Sequence, residues 1–243
     1  MDWIRFVPVG GVCRTLADFL FPPLCYACGA LLPPGCRIAC PECRNEMRVV
    51  CRDDLLFAVA RDRLCGDGAV DEMFSLFTFE KGKGVQSLLH ELKYAGAVGV
   101  GRWLGSQLGL AIQAQGWAAE IDAIIPVPLH LVKRRERGYN QSEMIARGIR
   151  SILNTPVDPG AVRRCRHTPT QTALGIDDRR RNMEGAFVVP RKRQGTIGGK
   201  RFLLVDDVIT TGATIRSCAG ALKAAGARSI VACSVGLADR TNQ

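Results

Sequence analysis

The stretch RFLLVDDVITTGATIRSC, residues 201–218, sets two adjacent carboxylates, Asp206 and Asp207, directly after an apolar run and just before a small, hydroxyl-rich bend. RFLLVDDV reads as a buried strand, TTGAT as a turn and IRSCAGALKAAG as a helix closed by Gly226, with SIVACSVGLA as the next buried strand. That order is a β-loop-α-β unit of a parallel sheet. Ligands of open parallel sheets sit at the carboxyl ends of strands, where the doublet falls. Thr210, Thr211, Gly212, Ala213 and Thr214 offer small side chains, hydroxyls and backbone N–H groups at a helix start, a cradle for a phosphate. Paired acids beside such a cradle suit a phosphorylated sugar: the carboxylates accept hydrogen bonds from vicinal ribose hydroxyls while the bend holds the 5′-phosphate. Capping by Thr211 or Thr214 alone accounts for neither the paired acids nor the run of small residues.

Upstream, EMFSLFTFE reads as a half-buried strand, VQSLLHELKY and VGRWLGSQLGLAIQAQ as helices, and IDAIIPVP as a short buried strand running into a loop. Asn140 is placed to cap a helix through about Leu153. Residues 160–200 carry few apolar runs and read mainly as loop or hairpin. PVPLHLVKRRERGYNQ is expected to be a loop at the same carboxyl edge, where Arg134, Arg135 and Arg137 clamp a departing pyrophosphate. RRCRHTPTQTALGIDDRRRNMEGAF, with Gln171 and Arg180, is a basic segment suited to a lid over a polyphosphate. His167 has no carboxylate that the sequence places beside it and receives no role.

The charge is unevenly spread. Residues 1–70 hold eight Lys/Arg and eight Asp/Glu, whereas residues 71–243 hold twenty-five against fifteen, so the net charge of +10 belongs to the second part. Within residues 126–201 the ratio is seventeen to six, which suits either an anionic partner such as a polyphosphate, nucleic acid or anionic lipid, or a solvated, solubilising surface. No run approaches the roughly 18 apolar residues of a membrane span. Asp2, Arg5, Arg14 and Asp18 interrupt the N-terminal stretch, so no secretory signal and a cytoplasmic location are expected.

Eight of the eleven cysteines precede residue 66, in a segment whose prolines Pro22, Pro23, Pro33 and Pro34 forbid long regular elements. Cys25-x2-Cys28 and Cys40-x2-Cys43 are two knuckles able to wrap four thiolates round one structural Zn²⁺, with Cys36 close enough to compete. Cys51 and Cys65 belong to no such pair, and no second metal is expected. A small Cys-rich module over 1–70 and a larger α/β module over 71–243 follow from this division.

The run of strand, D-D and V-I-T-T-G-A-T resembles the phosphoribosyl-pyrophosphate (PRPP) loop of type I phosphoribosyltransferases. Taken with EMFSLFTFE, LHELKYAG, IIPVPLH, RRERGYNQ and HTPTQTALGIDDRRRNMEGAF in this order, and with the Cys-rich head, the chain is similar to the ComF family of competence-associated phosphoribosyltransferase-like proteins. The resemblance implies a type I phosphoribosyltransferase-like parallel sheet flanked by helices, with an N-terminal zinc ribbon. It implies PRPP binding with Mg²⁺ by Asp206, Asp207 and residues 210–214, and a link to uptake of single-stranded DNA during natural transformation. Two readings stay open: a Mg²⁺-dependent transferase, and a non-catalytic PRPP or nucleotide sensor that touches single-stranded DNA, a helicase or other DNA-uptake proteins. A third, weaker one is a zinc-ribbon DNA-binding protein with an inert sheet. An aromatic content of 6% argues against extensive base stacking.

Overall fold

The computed structural model describes residues 22–80, 82, 84–117, 120–165 and 185–238. In chain order they form α1 (Pro41–Asn45), α2 (Leu55–Cys65), β1 (Glu72–Phe79), α3 (Gly84–Tyr94), α4 (Val98–Ala114), β2 (Ala123–Pro126), α5 (Leu131–Arg137) and α6 (Gln141–Leu153). There follow β3 (Arg163–Arg164), β4 (Phe187–Val188), a 3-10 turn (Arg191–Thr196), β5 (Arg201–Ile209), α7 (Ala213–Ala224) and β6 (Ser229–Ala238). The sequence pattern also predicts a helix around Arg14–Leu20, which lies outside the described residues.

Four strands form one parallel sheet in the order β1-β6-β5-β2. Alternate side chains of a strand point to opposite faces, and β5 divides accordingly. Leu203 and Val205 join a core with Leu88 and Leu92 of α3, Leu108 of α4 and Ile145 of α6. Phe202 and Leu204 join a second core with Leu64 of α2 and with Ile215 and Leu222 of α7. The sheet is therefore sandwiched between helical layers, and β5-α7-β6 is the parallel unit read from the sequence.

Three differences from the sequence reading have physical causes. β1 ends the sheet order, yet its six central residues are buried rather than alternating. Its outer edge is covered by the segment before α2: Thr78 N–H donates to the Arg48 carbonyl (2.9 Å), Val50 N–H donates to that of Leu76 (3.0 Å), and Val49 bridges Phe77 antiparallel. Such pairing satisfies backbone groups that a bare edge strand would leave to solvent. Next, the expected basic loop is largely the helix α5, started by His130, whose Nδ1 accepts from Val132 N–H (3.3 Å), and stopped by Gly138 at φ 77°. Finally, α7 begins at Ala213, so Ala213 and Thr214 belong to its first turn rather than to the bend.

Helices α4 and α6 cross at backbone contact through Gly105 and Gly148. A Cβ on Gly148 would collide with the Arg102 carbonyl oxygen, and one on Gly105 with that of Ile145. This close seat positions the N-terminus of α6 over the carboxyl edge of the sheet.

Candidate functional site

Asp206 and Asp207 lie near the carboxyl end of β5, and each is held by a different helix. Asp206 Oδ1 accepts from Ser142 Oγ (3.1 Å) and from the Asp207 backbone N–H (2.9 Å). Ser142 is delivered by the start of α6. There the capping Asn140 accepts from Ser142 N–H through Oδ1 (3.2 Å) and donates through Nδ2 to the Val127 carbonyl (2.9 Å), tying α6 to the chain just past β2. Asp207 pairs with Lys93 Nζ at 2.5 Å, at the last turn of α3, and accepts from Val208 N–H (2.8 Å). That turn is pinned in place because the Tyr139 hydroxyl donates to the Leu92 carbonyl.

Two carboxylates this close cannot ionise independently. Burial and the neighbouring charge of Asp207 push Asp206 up to about 7, against the opposing pull of the Asp207 N–H, Ser142 and Lys93. The site thus holds one lysine-paired acid, Asp207, and one, Asp206, that takes up a proton near neutrality.

The bend follows at once. Thr210 is exposed, Thr211 accepts through Oγ1 from Ala213 N–H (3.4 Å), and Gly212 precedes α7 at φ 74°. Gly212 is doubly required: its φ lies in the left-handed region, and a Cβ there would meet Leu64 Cδ1 at 2.7 Å. Leu64 comes from α2, in the Cys-rich part of the chain. The same junction is fastened by Arg216, which pairs with Asp67 (2.9 Å) and donates to the Arg63 carbonyl (3.3 Å).

Of the basic residues, Lys93 pairs with Asp207 and Arg164 feels the charge of Asp206, while Arg134, Arg135 and Arg137 lie along α5. Arg137 lies over the Tyr94 ring at 5.3 Å, next to Lys93, and Tyr94 stacks at a tilt on His90. Burial, followed by the charges of Arg137 and Arg164, pushes the Lys133 ammonium down. Burial likewise lowers Arg164, with the Asp206 charge opposing it. Arg134 is 4.0 Å from Glu143, which also binds Arg147 (2.7 Å), and Arg135 is exposed on α5. Gln171 and Arg180 lie outside the described residues. Sequence reasoning missed Lys93, Ser142 and Leu64; the signal for Lys93 was a cation beside the buried Leu92 at the end of an amphipathic helix.

Cys25, Cys28, Cys40 and Cys43 converge, with all four Sγ atoms within 4.8 Å of one another. A tetrahedron of thiolates about 2.3 Å from zinc has edges of about 3.8 Å, and the Cys28–Cys40 separation is 3.8 Å. Backbone N–H groups already face the sulfurs: Cys40 N–H donates to Cys25 Sγ (3.4 Å) and Cys43 N–H to Cys40 Sγ (3.5 Å). Burial opposes ionisation of Cys25, yet N–H donors led by Cys40 bring it down to about 6. The donor set fits structural Zn²⁺. Cys36 stands apart, accepting from Arg44 Nη2 (3.0 Å). Cys218 and Cys233 are fully buried, and burial pushes both thiols up.

The phosphoribosyl transferase domain family matches residues 108–241, more than half of the chain, and the chain belongs to that family. The match spans β2, the basic segment, the doublet and the bend. Among individual proteins, the chain is similar to competence protein F of Haemophilus influenzae, 33% identical over 146 residues, which are 59% of this chain and 63% of that protein. It is also similar to the DNA utilization protein YhgH of Escherichia coli K12, 31% identical over 146 residues with the same two coverages, 59% and 63%. The chain thus spans less than two thirds of these relatives. A glutamine PRPP amidotransferase from B. subtilis, complexed with ADP and GMP, aligns at TM-score 0.39 and 20% identity, over 60% of this chain and 30% of that one.

Proposed function

We propose that the chain is a PRPP-binding phosphoribosyltransferase of the ComF type that serves the uptake of single-stranded DNA. The observation that carries this reading is the doublet on β5, braced by Ser142 and Lys93 and followed directly by the Gly212 bend.

In this reading Asp206 and Asp207 accept the ribose hydroxyls, while the amides from Thr211 to Thr214 and the Thr hydroxyls hold the 5′-phosphate. Arg134, Arg135 and Arg137, with Gln171 and Arg180, orient the pyrophosphate. The bond from C1 to the pyrophosphate oxygen breaks with its electron pair leaving on pyrophosphate, and the acceptor's lone pair forms the new bond to C1. Mg²⁺ arriving with PRPP supplies neutralisation of that leaving charge. Lys93 sets the orientation of Asp207, and Ser142 that of Asp206. The four cysteines hold a structural zinc, and residues 1–70 form a module whose α2 braces the phosphate bend from behind.

The test is calorimetric titration of the protein with PRPP and Mg²⁺, followed by pyrophosphate release with candidate acceptors. Asp207→Asn is expected to weaken PRPP binding at least about tenfold, roughly the 1.4 kcal/mol of one charge-assisted hydrogen bond. Unchanged affinity would sink the reading. PRPP binding without pyrophosphate release, together with steeply salt-dependent oligonucleotide binding, would replace the transferase by the sensor.

A further inference from the structure

Beyond the doublet, a cavity of about 690 Å³ opens past the carboxyl end of β2, within the range of about 300–1,000 Å³ for small-molecule sites. Five cations line it: Arg134 from α5, Arg163 and Arg164 from β3, and Lys192 and Arg193 from the 3-10 turn. No acidic residue is among the described residues that line it.

Part of this charge is committed locally. Arg193 pairs with Asp158 at 2.6 Å, an arrangement that fixes the rim, and Arg134 faces Glu143 only at 4.0 Å. Among the described residues Arg163 and Lys192 have no carboxylate partner, and both are exposed. A cluster of like charges with a partly buried guanidinium at its base is unfavourable by itself. An anion with several oxygens relieves it, and the planar guanidinium fork matches phosphate.

The remaining wall is apolar and stiff. Pro128, Leu129, Val162 and Pro190 form it, and the prolines fix their own backbone. A bare polyphosphate would leave that wall unused, whereas a ligand with a flat, uncharged body and a phosphorylated end satisfies both halves. The cavity adjoins the doublet, since Arg164 stands close enough to feel the Asp206 charge. Lys192 and Arg193 of the 3-10 turn, with Pro190 before it, nonetheless lie outside the segments that the sugar-phosphate reading uses.

We propose that this cavity binds a nucleoside phosphate, and that it does so alongside an occupied sugar-phosphate site. The experiment is calorimetry of the full chain with ADP, with pyrophosphate and with adenosine, each with and without saturating PRPP and Mg²⁺. One ADP is expected to bind whether or not PRPP is present, more tightly than either pyrophosphate or adenosine. Lys192→Glu is expected to weaken ADP at least about fivefold while PRPP affinity stays within about twofold. Should this variant melt early, Lys192→Ala on the exposed 3-10 turn gives the same comparison more gently. Absence of ADP binding, displacement of ADP by PRPP, equal affinity for pyrophosphate, or indifference to the charge reversal would each overturn the proposal. ADP binding in a chain that ignores PRPP would instead overturn the sugar-phosphate reading and with it the joint occupancy, leaving the nucleoside-phosphate cavity standing alone.

Discussion

Asp206 is a carboxyl group placed where ionisation is costly. An aspartate in an unfolded chain titrates near 3.9, whereas Asp206 is pushed up to about 7. Between those values the folded chain keeps a proton that the unfolded chain has lost. The contribution of this residue is therefore most favourable below about pH 4, declines as pH rises and levels off above about pH 7. Asp206→Asn is expected to melt about 3 °C or more above the parent at pH 8, with the gap closing at pH 4, as read by scanning calorimetry at both pH values. Lys93 works in the opposite sense: Lys93→Met leaves Asp207 without its 2.5 Å partner and should cost about 1–2 kcal/mol in chemical denaturation, mostly restored in Lys93→Arg. The doublet itself was legible because adjacent acids after an apolar run have few structural uses. Its supports were not, since Ser142 lies 64 residues away from Asp206 and only the crossing of α4 and α6 brings it there.

Where helices and strands meet, glycine decides what fits. At Gly212 a methyl group would strike Leu64 and would also force a left-handed φ on a side-chain-bearing residue. Gly212→Ala is expected to destabilise by about 1–3 kcal/mol, and Leu64→Ala in the same chain should recover only the steric share, as a double-mutant cycle by denaturation measures. Gly148→Ala is harsher, because the obstacle is the Arg102 backbone carbonyl, which has no rotamer to change; failure to fold is the expected outcome, checked by circular dichroism. The helix capped by Asn140 and the strand of β5 could be placed from pattern alone, because caps and short uninterrupted apolar runs are local signals. Helix α5 could not: four cations and a glutamate over Leu131–Arg137 carry no apolar stripe, and its start depends on the His130 side chain rather than on a usual capping residue.

The described residues share connected packing from the cysteine cluster to the sheet. Cys25, Cys40 and Cys43 lie in the same core as Leu88, Leu203 and Val231, so loss of a metal there should be felt far from it. One equivalent of zinc is expected in the purified chain, lost in Cys40→Ser and retained in Cys36→Ser, by a colorimetric chelator assay. Chelation should lower a single melting transition rather than split it in two. Among the described residues no helix is long and apolar enough to cross a membrane. The knuckle spacing made the four converging cysteines legible, while the packing of α2 against the Gly212 bend was invisible, because a helix with so weak an apolar stripe does not declare which surface it will cover. The strip from Arg48 to Val50 has a practical corollary. Trimming the protein to residues 71–243 would strip β1 of the backbone pairing that covers its outer edge among the described residues. Two such trimmed molecules would then find each other's raw borders, and a preparation begun as a monomer would be expected to drift toward sheet-extended assemblies and precipitate.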